Sequence, residues 1–376
     1  MSSVKPVVVS YDMVTPYGWG IDACWNGLLS GKTAISCLDR FSTKHFRTGN
    51  AAIVPGLRVI QDESLVMQML RSLLTRSAHF IPEDSFLILA TTVGEIDILE
   101  RCILDDVGNA TGSRLDCLLN KVERLSGVKH SGMVISAACA SSSAAIARAA
   151  AMISSGERDC VLIVACDSVS EFVFAGFSSI MALDEDMARP FDKNRGGLSL
   201  GEAAGFILLM SETRASLEKR SVIGEVAGWG LTNDANHMTG PSRDGSGLAL
   251  AVSKALQSAN ITEDTVGCIA AHGTGTVYND SMEIKAFKTV FETRPIPTYS
   301  IKGGTGHTMG AAGLIEIIVA FQSLEKRIVP PTVNISDIDE EAQGWVSSKP
   351  CEFDSTVTVS TNSGFGGINA TVVLKK

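Results

Sequence analysis

The sequence predicts an α/β protein built of two related halves, and three observations carry that prediction. Apolar runs are strand-length, as in Phe86 to Ala90 and Cys160 to Ala165. From Phe86 onward the pattern repeats strand, small-residue turn, helix, strand, the order that layers helices over buried parallel strands. A comparable unit returns in the second half of the chain. The 376 residues, 45% of them hydrophobic and 19% charged, suffice for two or three domains around a broad core.

Taken in order, Val7 to Val9 begins a strand, and Trp25 to Ser30 reads as a helix stopped by Gly31. The clearest unit runs from Met133 to Asp167: a short apolar strand, the turn Ala137-Ala138-Cys139-Ala140, an alanine-rich helix, then the strand Val161 to Ala165. Ala188-Arg189-Pro190-Phe191-Asp192-Lys193-Asn194-Arg195-Gly196-Gly197 is a turn-rich loop. Charge rises at Arg214, Glu218, Lys219 and Arg220, which places the junction near Ser211 to Val222 and divides the chain into 1–220 and 221–376. Beyond it, Val266 to Ala270 leads into His272-Gly273-Thr274-Gly275-Thr276. Tyr299 to Ile301 leads into a glycine-rich turn ahead of a helix from Met309 to Leu324.

Composition excludes several classes. No run approaches the ~18–20 apolar residues of a membrane span, and Met1 to Val7 lacks the build of a signal peptide, so a cytoplasmic protein is expected. Nine cysteines, an odd number without a CxxC pair, argue against disulfides and structural metal. A net charge of −9 argues against nucleic acid as the main partner.

Cys139 stands where a strand gives way to a helix, and unpaired N–H groups with the positive end of the helix dipole favour a thiolate nucleophile there and can bind an oxyanion. A lone cysteine is ordinarily a small apolar filler. Two of only six histidines change that balance: His272 follows a strand, and His307 follows Lys302-Gly303-Gly304-Thr305-Gly306 just before a helix. Two neutral imidazoles aimed at one thioester oxygen stabilise an enolate without a metal. A protease wants one histidine with an orienting Asn or Asp. Cysteine with two histidines therefore points to carbon–carbon bond formation.

Eight segments in order then resemble the β-ketoacyl-acyl-carrier-protein synthases of types I and II. They are Ala137 to Ser142, Arg189 to Lys193, Leu200 to Gly205, Asp234 to Thr239, His272 to Thr276 with Asn279-Asp280, Lys302 to His307, Gly310 to Gly313 and Gly364 to Ala370. The type III enzymes use Cys-His-Asn, so His307 selects the two-histidine branch. The resemblance implies a thiolase-like fold, two related α/β halves in a layered α-β-α-β-α arrangement, usually dimeric.

It further implies that Cys139 takes an acyl group from the phosphopantetheine of an acyl carrier protein, with no cofactor bound by the enzyme itself. His272 and His307 would hold malonyl thioester during loss of CO2. Lys302 would support His307, and Glu316 matches the family's buried glutamate, although a purely structural ion pair fits those two equally. Thr274 and Thr276 would bond the pantetheine arm or serve as turn formers, and His237 is read as a loop-supporting residue. The backbone N–H groups of Cys139 and Ser363 would form the oxyanion hole.

Three departures are visible. The family carries Asn-Ser-Phe before Gly-Phe-Gly-Gly, whereas Thr361-Asn362-Ser363 precede Gly364-Phe365 here, which places Ser363 with Phe365 at the acyl gate and predicts a looser, more polar one. The segment from Gly56 to Lys129 is short. Asp184-Glu185-Asp186 replace a basic stretch, so an acidic carrier would dock on other groups, with Lys44, Arg47, Arg71 and Arg76 as candidates against ordinary solvated surface. These departures keep open a specialised ketosynthase of polyketide or polyene assembly, as a homodimer or as one subunit of a heterodimer with a related subunit.

Overall fold

Among the described residues, ten strands of the main sheet fall into two sets of five with the same wiring. The structure, a computed structural model, describes residues 4–61, 63–106, 109–129, 132–292 and 294–376. The first set is β1 (Pro6–Thr15), β2 (Phe86–Ala90), β3 (Met133–Ile135), β4 (Cys160–Asp167) and β5 (Ala203–Ser211). The second is β6 (Gly224–Asn233), β7 (Val266–Ala270), β8 (Thr298–Tyr299), β9 (Val357–Gly364) and β10 (Ile368–Lys375). Their spatial orders are β3-β2-β4-β5-β1 and β8-β7-β9-β10-β6. In each set the first strand runs antiparallel to the last, the last antiparallel to the fourth, and the other neighbours are parallel. β1 and β6 meet through Val7↔Glu225 and Val8↔Gly224, which makes the sheet continuous.

Six of the helices among the described residues form the layers: α1 (Leu65–Ser77), α2 (Leu115–Ser126), α3 (Ser141–Ser154), α4 (Ser246–Ala259), α5 (Val277–Phe291) and α6 (Ala312–Lys326). α3 and α6 are buried on nearly every side, as expected of helices with no polar face. Ile146 and Ile153 of α3 pack with Leu314, Ile318 and Phe321 of α6, between Ile163 of β4 and Val372 of β10. On the far face of the first set, Leu70 and Leu73 of α1 and Val122 of α2 cover Leu87 and Leu162. Leu248 and Val252 of α4 and Phe287 of α5 cover Ile269 and Val359 of the second. β4 shows how one strand serves two cores: Val161, Ile163 and Ala165 face the middle layer, and Cys160, Leu162, Val164 and Cys166 face the outer one.

The layers and the thiolase-like plan match the expectation. Element bounds differ locally. The first strand extends over all of β1, the early helix is Ile21–Leu29, and the helix expected from Met309 opens as a 3-10 turn (Met309–Ala311) because Met309 takes a φ of 52°. Cys139, His272 and His307 all follow the carboxyl ends of parallel strands, namely β3, β7 and β8, where open α/β sheets place their ligands.

Candidate active site

Cys139 is presented by a strained turn. Ala138, at φ 47°, lies in the left-handed region that side chains disfavour, and Ser141 holds the turn by donating to Ala138 O at 2.6 Å while accepting from Ala137 N at 2.8 Å. α3 begins two residues after the cysteine. His307 is fixed as a strand-like bridge: its N–H donates to Ser199 O at 2.7 Å and its carbonyl accepts from Gly201 N at 2.9 Å. Gly306 allows this, since at φ 66° an added Cβ would meet Leu200 O at 2.5 Å. His272 is seated by Glu283, whose carboxylate accepts from His272 N at 2.7 Å and Gly273 N at 2.6 Å.

These three side chains, from loops far apart in sequence, converge on one buried point. His307 Nε2 lies 3.0 Å from Cys139 Sγ, and the two imidazole rings stand edge to face at 5.2 Å and 87°. The sulfur and the ring nitrogens come within 4.8 Å of one another, a set that a soft divalent ion could also use. The trio closes the floor of a cavity of about 590 Å³ that opens between Phe177, Ile180 and Met181 on one side and Tyr278 and Arg243 on another.

Behind His272 lies a buried polar cluster. Lys302 forms an ion pair with Glu316 and donates to the His272 carbonyl. Its Nζ also lies 3.2 Å from His272 Nδ1, as does Asn362 Nδ2, which further donates to Glu316 Oε2 at 2.6 Å. Ser143 of α3 donates to Asn362 Oδ1. An ammonium cannot accept, so Nδ1 of His272 must, and the ring carries its proton on Nε2. The expected support by Lys302 thus falls on His272, not His307: its stem enters from the short helix Lys302–Thr305 beside the His272 carbonyl, and it acts on His307 through charge alone.

Burial governs the protonation of the trio. It pushes the Cys139 thiol up to about 11, opposed by the Lys302 charge and by a backbone N–H from Phe365. Burial first, and Lys302 second, hold both histidines well below the usual imidazole range, and His307 lowers His272 further. At neutral pH this is a thiol beside two uncharged imidazoles, so the thiolate expected from the helix end is not the resting form.

The amide that reaches the sulfur corrects the assignment of Ser363. β9 leaves the sheet at Gly364, and Ser363 is still paired in register with Asn369, to whose Oδ1 its hydroxyl donates at 2.7 Å. Only beyond Gly364, where a Cβ would lie 3.1 Å from Cys139 N, does the chain turn an N–H inward, and that N–H belongs to Phe365. The Phe365 ring stacks on Phe177 at 5.7 Å, so an aromatic stands where a polar gate was expected. Thr274 and Thr276 line the cavity with their hydroxyls 2.9 Å apart. His237 supports its loop as expected, its Nδ1 accepting from Thr239 N and Gly240 N, each at 3.1 Å. Among the docking candidates, Arg47 pairs with Glu185, Arg71 with Glu63 at 2.7 Å and Arg76 with Asp12 at 3.7 Å.

Asn362, Ser143, Glu283 and the Phe365 amide were not singled out from sequence. Asn362 stands in the tripeptide that signals the gate, Ser143 follows directly on the Ala137 to Ser142 segment, and nothing in composition marks a backbone amide.

Known proteins resemble this chain across its whole length. Residues 119–215 match the beta-ketoacyl synthase N-terminal domain and residues 223–336 the beta-ketoacyl synthase C-terminal domain. The 3-oxoacyl-[acyl-carrier-protein] synthase 2 of Vibrio cholerae is 30% identical over 414 residues, covering all of both proteins. Among solved structures, the ishigamide ketosynthase/chain length factor superposes with a TM-score of 0.90 at 27% identity, covering 100% of this chain and 99% of that one. A type II PKS acyl-carrier protein in complex with its ketosynthase bound to the hexaketide gives a TM-score of 0.91 at 25% identity, with 99% of each chain covered. With its strand-end cysteine and paired imidazoles set in two identically wired halves, the chain belongs to the beta-ketoacyl synthase family.

Proposed function

We propose that this enzyme condenses an acyl group held on Cys139 with malonyl-acyl-carrier protein, releasing CO2 and giving β-ketoacyl-acyl-carrier protein. The observation that carries the reading is the 3.0 Å approach of His307 Nε2 to Cys139 Sγ, with the His272 ring edge-on beside it at the floor of a deep cavity.

The steps balance within this site. The Cys139 thiol passes its proton through His307 to the departing carrier thiol as the acyl thioester forms on sulfur. The backbone N–H groups of Cys139 and Phe365 hold the oxyanion of that transfer. Malonyl thioester then enters with its carbonyl between the two imidazoles. The C–C bond to the carboxylate breaks, CO2 leaves, and Nε2–H of His272, aided by His307, holds the enolate charge. Its carbon attacks the acyl carbonyl, Cys139 departs as thiolate, and proton uptake restores the thiol. Lys302, Glu316 and Asn362 act as positioning residues for His272, Thr274 and Thr276 bond the pantetheine arm, and Phe365 gates the acyl pocket.

In this reading the halves 1–220 and 221–376 contribute the nucleophile and the imidazoles respectively, and the enzyme works as a cytoplasmic dimer served by an acyl carrier protein. No helix among the described residues is long and apolar enough to cross a membrane. A second reading, one subunit of a heterodimeric ketosynthase in polyketide or polyene assembly, is favoured by the likeness to a ketosynthase/chain length factor. Incubation with a panel of acyl-carrier proteins and then malonyl-carrier protein, followed by intact mass, tests both. Acyl mass on Cys139 followed by β-ketoacyl product is expected; no acyl mass from any donor rejects the reading.

A further inference from the structure

The cavity that ends on Cys139 carries a cation at its mouth for which the chemistry at its floor has no use. Arg243 is the one Lys or Arg among the described lining residues. It stands exposed in an irregular loop, its guanidinium over the Tyr278 ring at 4.3 Å from the centroid. Stacking on an aromatic face fixes the plane of a guanidinium while leaving its edge donors free. Tyr278 lies in the first turn of α5, directly after Thr274, Thr276 and Val277, so one wall runs from the floor to the mouth.

The acids nearby are committed elsewhere. Asp234 accepts from Asn369 Nδ2 at 2.7 Å and Ser242 N at 2.9 Å, and Asp244 accepts from Ser242 and Ser246. Beside Arg243 the His237 ring also lines the mouth, and with Nδ1 occupied by two backbone donors its Nε2 carries the proton in the neutral ring. A guanidinium edge and an imidazole N–H at the rim of an acyl-transfer cavity suit an oxyanion with several acceptor oxygens.

We propose that Arg243, seated on Tyr278, binds the phosphate of the phosphopantetheine arm at the cavity mouth. This rests on the condensing function proposed above, which supplies a substrate whose arm ends in a thioester at one side and a phosphodiester at the other.

The test compares acyl-4′-phosphopantetheine with acyl-pantetheine, identical but for the phosphate, and with acyl-carrier protein, in the wild-type enzyme, Arg243→Gln and Arg243→Lys. From the usual worth of one charge-assisted hydrogen bond, Arg243→Gln should raise KM for the phosphorylated substrate about tenfold with kcat unchanged. KM for acyl-pantetheine should move less than about twofold, and Arg243→Lys should recover part of the loss. Equal rises for both substrates, no rise, or a rise seen only with the intact carrier protein would each overturn the proposal, the last placing Arg243 against the carrier's surface. Calorimetric binding of 4′-phosphopantetheine and pantetheine needs no turnover: a wild-type enzyme that discriminates them but never releases CO2 fails the function, and one that condenses without discriminating them fails this inference.

Discussion

Lys302 and Asn362 converge on a single nitrogen of His272, each 3.2 Å from Nδ1. Two donors on one side of the ring leave its proton on the other, aimed into the cavity. Replacing His272 with Ala should therefore slow CO2 release from malonyl-carrier protein by about 10²–10³-fold, the cost of one oxyanion donor, while acyl transfer to Cys139 continues. Lys302→Met should lose the same step and also stability, by about 3–5 kcal/mol, because it strands Glu316 as a buried unpaired carboxylate. CO2 release read beside thermal unfolding separates the two, and an acylation defect larger than the decarboxylation defect in His272→Ala would assign that ring to the thiol instead.

Cys139 is itself a test of the assignment. Cys139→Ala should end condensation while CO2 release from malonyl-carrier protein persists, since the imidazoles stay in place. Removing one buried sulfur from a cavity wall should shift unfolding by no more than about 1 kcal/mol. Product formation by this variant, seen by mass, rejects the role.

The pH dependence has a defined sign. With the Cys139 thiol pushed up to about 11 and neutral His307 taking its proton during attack, the reactive pair is the resting form, so acyl transfer should cross the ordinary thiol range without a titration step. The histidines act on stability. Their folded values lie below the unfolded one near 6.5, so the unfolded chain binds more protons below that point. Their contribution is present above about pH 6.5 and is lost as pH falls toward their depressed values. Glu283, pushed up to about 8 by burial and by Asp280, works the other way, its contribution falling as pH rises from its ordinary carboxyl value through about 8. The difference in melting temperature between wild type and His272→Asn from pH 8 to 5 isolates the imidazole; a difference that does not change with pH contradicts the sign.

Phe365 stacks on Phe177 at the cavity wall. Phe365→Ala should broaden the acyl groups accepted, raising acylation by long or branched donors relative to short ones in a mixed competition. Its backbone N–H survives the change, so acylation by short donors should fall less than about threefold. A collapse of all acylation would mean that the ring holds the loop and does not gate the pocket.

Gly306→Ala addresses the bridge that carries His307. A side chain at φ 66° and 2.5 Å from Leu200 O strains backbone on both sides. A loss of about 1–3 kcal/mol is expected, with acyl transfer slowed more than stability alone accounts for. Wild-type rates in the folded fraction would show that His307 does not depend on this bridge.

Much of this was legible in the residues, for physical reasons. Strand-length apolar runs such as Cys160 to Ala165 can only be buried strands in a chain with this spacing, and the strand-to-loop positions of Cys139, His272 and His307 follow from the small residues beside them. The convergence of the three needed the repeated sheet wiring, which no local pattern encodes. The run Thr361 to Phe365 marks side chains, whereas the donor at the sulfur is the Phe365 amide, whose direction depends on where β9 leaves the sheet. Lys302 was given to the nearer histidine in sequence, but five residues of chain bend its ammonium back onto the more distant one.

The separation between Cys139 and His307, 168 residues brought to 3.0 Å, has a consequence for how the protein matures. Each half can close its own local strand–helix contacts early, but the reactive thiol meets its imidazole only when α3 and α6 have docked. Long-range closures of this kind are slow because loop entropy is lost before any contact compensates it. Regain of activity during refolding should therefore lag regain of helical signal, since Cys139 and His307 come together only when the last layers have met.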